Sequence, residues 1–240
     1  MKKIILFPAV FLLVTAVLGQ GRSTAITGAW ETDALKKQTT MICSEKFFAV
    51  SIYDTSAKQF IETHGGSYRL QDGEWIGRIE FHSMNPELVG KEIRMKARLS
   101  GDVFTIEDPS GNVEWRRVDN GTPGALAGAW LITGRMRNGE MSPMTPGARR
   151  TMKILSGTRF QWIAYNVDTK QFSGTGGGTY TTRKGKYTEN IEFFSRDNSR
   201  VGASLTFDYA IEDGKWRHTG SSSRGEPIDE VWTQREKTGL

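Results

Sequence analysis

Three histidines, one cysteine and a scatter of carboxylates are the residues of this chain best suited to chemistry. His64, His82 and His218 share no short ligand spacing, and no cysteine stands near a histidine, so the sequence points to no metal centre. Cys43 is alone in the chain and lies in the apolar run Thr40-Met41-Ile42-Cys43. It can make no intrachain disulfide and reads as a buried, inert thiol. No Gly-x-Ser-x-Gly occurs, and Ser204 sits inside an alternating strand rather than on a strand-to-helix elbow. Gly174-Thr175-Gly176-Gly177-Gly178 resembles a phosphate cradle, but a cradle needs a helix N-terminus behind it and a strand follows here. That run reads as a bulge or sharp bend that helps a sheet curl. No catalytic centre emerges, so the expectation is a non-enzyme without a cofactor.

Glu80 and Glu192 both occur in Ile-Glu-Phe, on the strand face opposite the apolar pair. If Ile and Phe fill a core, the glutamates are solvated. If the domain is open inside, one of them turns inward beside Asn190 and pairs with an arginine such as Arg183 or Arg200, a polar anchor for a ligand. A carboxylate pair for glycoside hydrolysis is a further reading, which sequence alone cannot place at the required separation. His218 follows Trp216 on an alternating segment and is the histidine expected to face a cavity.

These residues belong to a duplicated unit. Tyr53, Phe60, Gly65-Gly66-Ser67-Tyr68, Ile79-Glu80-Phe81 and Val89-Gly90 recur as Tyr165, Phe172, Gly177-Gly178-Thr179-Tyr180, Ile191-Glu192-Phe193 and Val201-Gly202, always 112 positions later. Gly28-Ala29-Trp30 recurs as Gly128-Ala129-Trp130, only 100 positions later. The second copy therefore carries an insertion of about a dozen residues within 136–150, read either as a lid over an open end or as a solvated loop. The turn-rich stretch Asp119 to Gly124 separates the copies, placing one domain at 26–119, a linker at 120–126 and a second domain at 127–237.

Strict alternation, as in Ile93, Met95, Ala97 and Leu99 against Glu92, Arg94, Lys96 and Arg98, predicts strands that bury one face. Glycine-bearing turns at hairpin spacing give about eight strands per half and no helix longer than a turn or two. The fold class is all-β: two small antiparallel up-and-down barrels, or a pair of β-sandwiches. Each half opens on Gly-x-Trp and closes on a strand carrying Trp and Arg. In a closed barrel those strands meet, so Arg117 is expected to cover Trp30 and Arg235 to cover Trp130 as a structural seam.

The Gly-x-Trp opening with a late arginine resembles the calycin group of lipocalins and their relatives. Gly176-Gly177-Gly178-Thr179-Tyr180-Thr181, with Tyr187 to Phe194, resembles bacterial secreted lipocalin-like domains of unassigned function, more fully in the second half than in the first. The resemblance implies a small apolar or amphipathic ligand inside the second barrel. Tyr180, Glu192, Phe194, Arg200, Trp216 and His218 are the candidate ligand-binding residues.

Met1-Lys2-Lys3 followed by an uncharged apolar run from Ile4 to Leu18 has the layout of a secretory signal peptide, cleaved near Gly19. The run falls short of the roughly 20 residues of a spanning helix, so a periplasmic or extracellular product without a membrane span is expected. Basic and acidic residues interleave without a stripe for phosphates, which argues against nucleic acid. Three functional readings stand: an exported carrier of a small molecule, an envelope interaction or scaffold module with a partner protein, and an envelope enzyme with a carboxylate-based site.

Overall fold

The computed structural model of the protein describes residues 26–240, apart from 35, 109, 110 and 223. The expected signal peptide, 1–19, lies outside the described residues. No helix among the described residues is long and apolar enough to cross a membrane.

Each half is a closed antiparallel barrel whose last strand pairs with its first; consecutive strands pair throughout, except that in the second half the first strand pairs with the third and carries the second on its outer end. Barrel 1 comprises β1 (Gly28–Thr32), β2 (Gln38–Cys43), β3 (Phe47–Asp54), β4 (Gln59–Gln71), β5 (Glu74–His82), β6 (Glu92–Ser100), β7 (Val103–Asp108) and β8 (Gly111–Asp119). Barrel 2 begins with β9 (Gly128–Arg137), whose far end turns at Asn138-Gly139 into β10 (Glu140–Pro143). It continues through β11 (Arg149–Leu155), β12 (Arg159–Asn166), β13 (Phe172–Arg183), β14 (Lys186–Phe194), β15 (Ser204–Glu212), β16 (Lys215–Ser221) and β17 (Pro227–Gln234), which closes on β9. The insertion in the second copy thus begins as a β-hairpin arm, and Met144 just after it packs against the core of barrel 2. Three 3₁₀ turns, at Pro86–Leu88, Asn198–Arg200 and Arg235–Lys237, are the helical elements of the described chain.

Both barrels curl at paired glycines. Between β13 and β14 the register shifts at Gly177/Gly178, so that Gly178 faces Ile191, Gly177 faces Phe193, and Glu192 is the extra residue of the bulge. A Cβ on Gly178 (φ +154°) would stand 2.1 Å from the Asn190 carbonyl oxygen. No other residue fits such an approach. The same shift occurs at Gly65/Gly66 with Glu80 as the extra residue. The bulge corrects the simple alternation read from Ile-Glu-Phe: Ile79 and Ile191 stay in their barrel cores, while Phe81 and Phe193 turn outward to the other barrel.

The barrels meet across an approximate twofold. Phe60 stacks on its own repeat counterpart Phe172, with centroids 6.2 Å apart and planes 13° apart. Gln161 donates to Thr63 (2.8 Å) and to Thr63's counterpart Thr175 (3.0 Å). Around this axis lies a third apolar core, besides the two barrel interiors, drawn from both barrels and including Ile42, Phe47 and Phe81 from the first and Leu131, Ile154 and Tyr165 from the second. Each of these side chains adds about 1.5–3 kcal/mol of burial.

Candidate functional site

The two glutamates first considered as solvated groups or ligand anchors hold the barrels together. Tyr53 donates to Glu192 (2.8 Å), and its counterpart Tyr165 donates to Glu80 (3.0 Å), so the contact is reciprocal. Glu192 also accepts from Arg159 (2.5 Å), which bridges to Glu31. Glu80 accepts from Arg150 (2.9 Å) and from Arg235 (2.7 Å). Burial, reinforced by the adjoining carboxylates, pushes both phenols far up, so they remain donors at any physiological pH. Glu192 thus lies at the junction of the barrels, and its partner is Arg159 rather than Arg183 or Arg200.

The seam is half as expected. Arg117 lies over Trp30 at 4.1 Å. Arg235 does not cover Trp130; the 3₁₀ turn after β17 carries it between the barrels, where it stacks on Phe47 at 3.9 Å and pairs with Glu80. Trp30 and Trp130 are both buried, and each donates its indole N–H to the carbonyl four residues earlier, Ile26 and Leu126.

A distinct arrangement fills the interior of barrel 2. On β11, Met152 and Ile154 face barrel 1, so the alternate residue Lys153 points inward. Its Nζ donates to Glu189 on β14 (2.7 Å), both side chains being under a tenth exposed. It also lies 4.9–5.8 Å from the ring centroids of Tyr187, Phe207, Trp216 and Trp232. Tyr187 donates to the same glutamate oxygen (2.8 Å). Across the cavity, His218 on β16 pairs in register with Glu230 on β17. Glu230 accepts from Arg135 of the arm strand (2.7 Å) and from the Trp232 indole (3.2 Å). The His218 Nδ1 stands 3.5 Å from Glu230 Oε2, beyond hydrogen-bonding geometry, and neither ring nitrogen has a hydrogen-bond partner.

Charge state follows from these neighbours. Burial, aided by the Lys153 cation, lowers the His218 pKa, so the ring is neutral at neutral pH. Burial works to raise the Glu230 pKa, but His218, Lys153 and Arg135 outweigh it and bring it down to about 2. Glu230 is therefore ionised at neutral pH.

These groups border a cavity of ≈ 470 Å³ lined in part by Arg135 and Met136 of the arm and by Pro227 and Ile228 of β17. Trp162, Phe194 and Phe207 supply apolar wall, and Lys153, Glu189 and His218 the polar floor. Of the six expected ligand residues, Phe194 and His218 line it. Tyr180 is buried with its hydroxyl donated to the Ser156 carbonyl (2.6 Å), and Trp216 is wholly enclosed in the core. Arg200 sits in a 3₁₀ turn and pairs with Asp197 (3.0 Å).

Sequence reasoning missed Lys153, Glu189, Glu230 and Arg135. The signal for the first three lay in the repeat. Lys153 pairs with Trp130 as Met41 pairs with Trp30, and Glu189 pairs with Leu205 as Gly77 pairs with Ile93. His218 pairs with Glu230 as Ile106 pairs with Val113. Four interior positions that hold Met, Gly, Ile and Val in barrel 1 thus hold Lys, Glu, His and Glu in barrel 2.

Two other places merit comparison. Cross-strand pairing brings His64 and His82 together with Glu62, their ligand atoms within 4.8 Å of one another. However, His82 Nδ1 accepts the backbone N–H groups of Met84 (3.3 Å) and Asn85 (3.1 Å). That puts the ring proton on Nε2, which then donates toward Glu62 instead of offering a lone pair to a metal. A wider groove of ≈ 670 Å³ runs outside barrel 1 past Tyr68, Leu70 and Leu240. Its ionisable groups are exposed (Glu45, Lys46, Arg69) or already paired (Glu80), so on chemistry the interior of barrel 2 is the stronger site. No family model matches the chain, and no curated protein matches it.

Proposed function

We propose that this protein is an exported, non-enzymatic binding protein whose second barrel takes a small amphipathic molecule into the cavity beside Lys153 and His218. Barrel 1 acts as the structural support. The observation that carries the reading is the exchange of four apolar interior positions for ionisable ones in barrel 2 alone. Buried charge costs stability unless it is paired, so a barrel that bears two carboxylates, a lysine and a histidine where its twin needs none gives up stability for another purpose. A cavity of this size with apolar walls and a few convergent polar groups suits a small ligand. The up-and-down topology agrees with the lipocalin resemblance, which on its own carries no function.

The test is native mass spectrometry of the chain purified from its own host, followed by tryptophan fluorescence titration with aromatic and lipid-like probes. Added mass that is lost on denaturation, with quenching abolished by a bulky substitution such as Ile191→Trp in the cavity wall, is the expected outcome. A bare chain whose fluorescence no probe moves overturns the carrier reading.

A further inference from the structure

The polar floor of barrel 2 is balanced charge for charge. Lys153 is matched by Glu189 at 2.7 Å and Arg135 by Glu230 at 2.7 Å. An anionic ligand would have to draw a cation from its carboxylate, and a cationic ligand would have to draw a carboxylate from its cation; each leaves a buried charge uncompensated. Among the described residues that line the cavity, His218 has both ring nitrogens without a hydrogen bond; the Trp216 indole N–H, likewise unpartnered, is enclosed in the core and does not line the cavity. His218 is enclosed by Phe207, Trp216 and Tyr187 at centroid distances of 4.3, 5.3 and 5.7 Å, and it lines the cavity. Of its two nitrogens, Nδ1 is the one beside the Glu230 carboxylate, so it holds the proton. Nε2 then carries a lone pair with no donor, an unmet buried acceptor of the kind that a ligand satisfies. The walls that frame it are flat rings, Trp162 set edge to face on Phe194 at 5.4 Å and Phe207 beside His218.

We infer that the ligand of barrel 2 is an uncharged, ring-bearing molecule that presents an O–H or N–H donor to Nε2 of His218. The inference rests on the binding reading above and specifies its chemistry. Carboxylate and ammonium ligands are disfavoured by the matched floor, and purely hydrocarbon ligands by the acceptor they would leave bare.

Isothermal titration calorimetry of the full chain at neutral pH with naphthol, methoxynaphthalene and naphthoate, substituted at the same ring position, separates these classes. Naphthol should bind about tenfold more tightly than its methyl ether, the scale of one satisfied buried hydrogen bond, and naphthoate should bind most weakly. His218→Phe should erase the preference of naphthol over the ether. His218→Gln, which places a carboxamide oxygen at the reach of Nε2, should keep the preference. Thermal melts of both variants confirm that they are folded. Equal binding of naphthol and its ether overturns the donor assignment but leaves the binding cavity standing, and tightest binding of naphthoate overturns the neutral-ligand assignment. Silence from all three probes, together with a bare native mass, overturns the cavity reading itself.

Discussion

Lys153→Met places in barrel 2 the residue that barrel 1 carries at the equivalent position, Met41. The volume is nearly conserved and the four surrounding rings keep an apolar neighbour, so packing loss is small. What changes is charge. Glu189 loses its partner at 2.7 Å while remaining almost wholly buried. Removing one member of such a pair costs about 3–5 kcal/mol, because the remaining ion keeps only the Tyr187 hydroxyl as compensation. For a chain of this size each kcal/mol moves Tm by roughly 2–4 °C, giving an expected fall of about 6–20 °C. The double variant Lys153→Met/Glu189→Gln removes both charges and should recover most of the loss. Urea unfolding followed by tryptophan emission, with circular dichroism as a second probe, measures all three proteins. A single variant as stable as the parent, or a double variant no better than the single, would refute the account of Lys153 as a paired interior charge.

The remaining expectations concern the interface, pH and the bend. Glu80→Gln takes the charge partner from buried Arg235 and from Arg150, and should cost about 3–5 kcal/mol in denaturant midpoint analysis; Tyr53→Phe and Tyr165→Phe should each cost only about 1 kcal/mol and by similar amounts, as their contacts are reciprocal. His218 is held below its usual 6.5 by burial and Lys153, with Glu189 and Glu230 opposing, so the unfolded chain binds the extra proton and stability must fall as pH drops below 6.5. His218→Phe should reduce that loss, leaving the share of His82, whose pKa burial also lowers. Glu230, brought from 4.5 to about 2, contributes stability above 4.5 that disappears toward pH 2; Glu230→Gln should flatten this lower limb in a pH series of melts. Gly178→Ala, with a Cβ 2.1 Å from a backbone oxygen, should abolish soluble expression or lower Tm far more than Gly185→Ala, whose Cβ would meet nothing within 4 Å.

Architecture was legible because it is written in periods. Alternation marked the strands, Gly-bearing turns marked the hairpins, and the constant offset of 112 marked two copies of one barrel. The glycine run read as a bend is one, since its backbone approach excludes any side chain. The site was legible only in part. His218, expected to face a cavity because a histidine beside Trp216 on an alternating strand stands out, does line one. Lys153 was missed, because Met152-Lys153-Ile154 looks like a strand with one dry and one wet face. Both faces of β11 are buried, one against barrel 1 and one inside barrel 2, and alternation cannot distinguish two buried faces from one. Glu80 and Glu192 escaped for a related reason: each is the extra residue of a bulge, which turns it out of the two-residue rhythm that sequence reading assumes. Arg235 was given to the wrong partner because the turn after β17 swings it off the seam.

Stacked Phe60 and Phe172, the shared Gln161 and the crossed tyrosine–glutamate contacts make the junction of the barrels an isologous interface, the form in which two identical subunits dimerise. Here both halves lie on one chain, joined by the few residues between Asp119 and Gly128. Tethering makes their association a first-order event, independent of protein concentration and held at high effective concentration. It also removes the requirement that the partners be alike: a substitution in a homodimer appears twice, whereas here it appears once. One barrel can stay uniformly apolar and anchor the pair, while the other carries internal charges whose cost a solitary domain of the same size would have to bear alone.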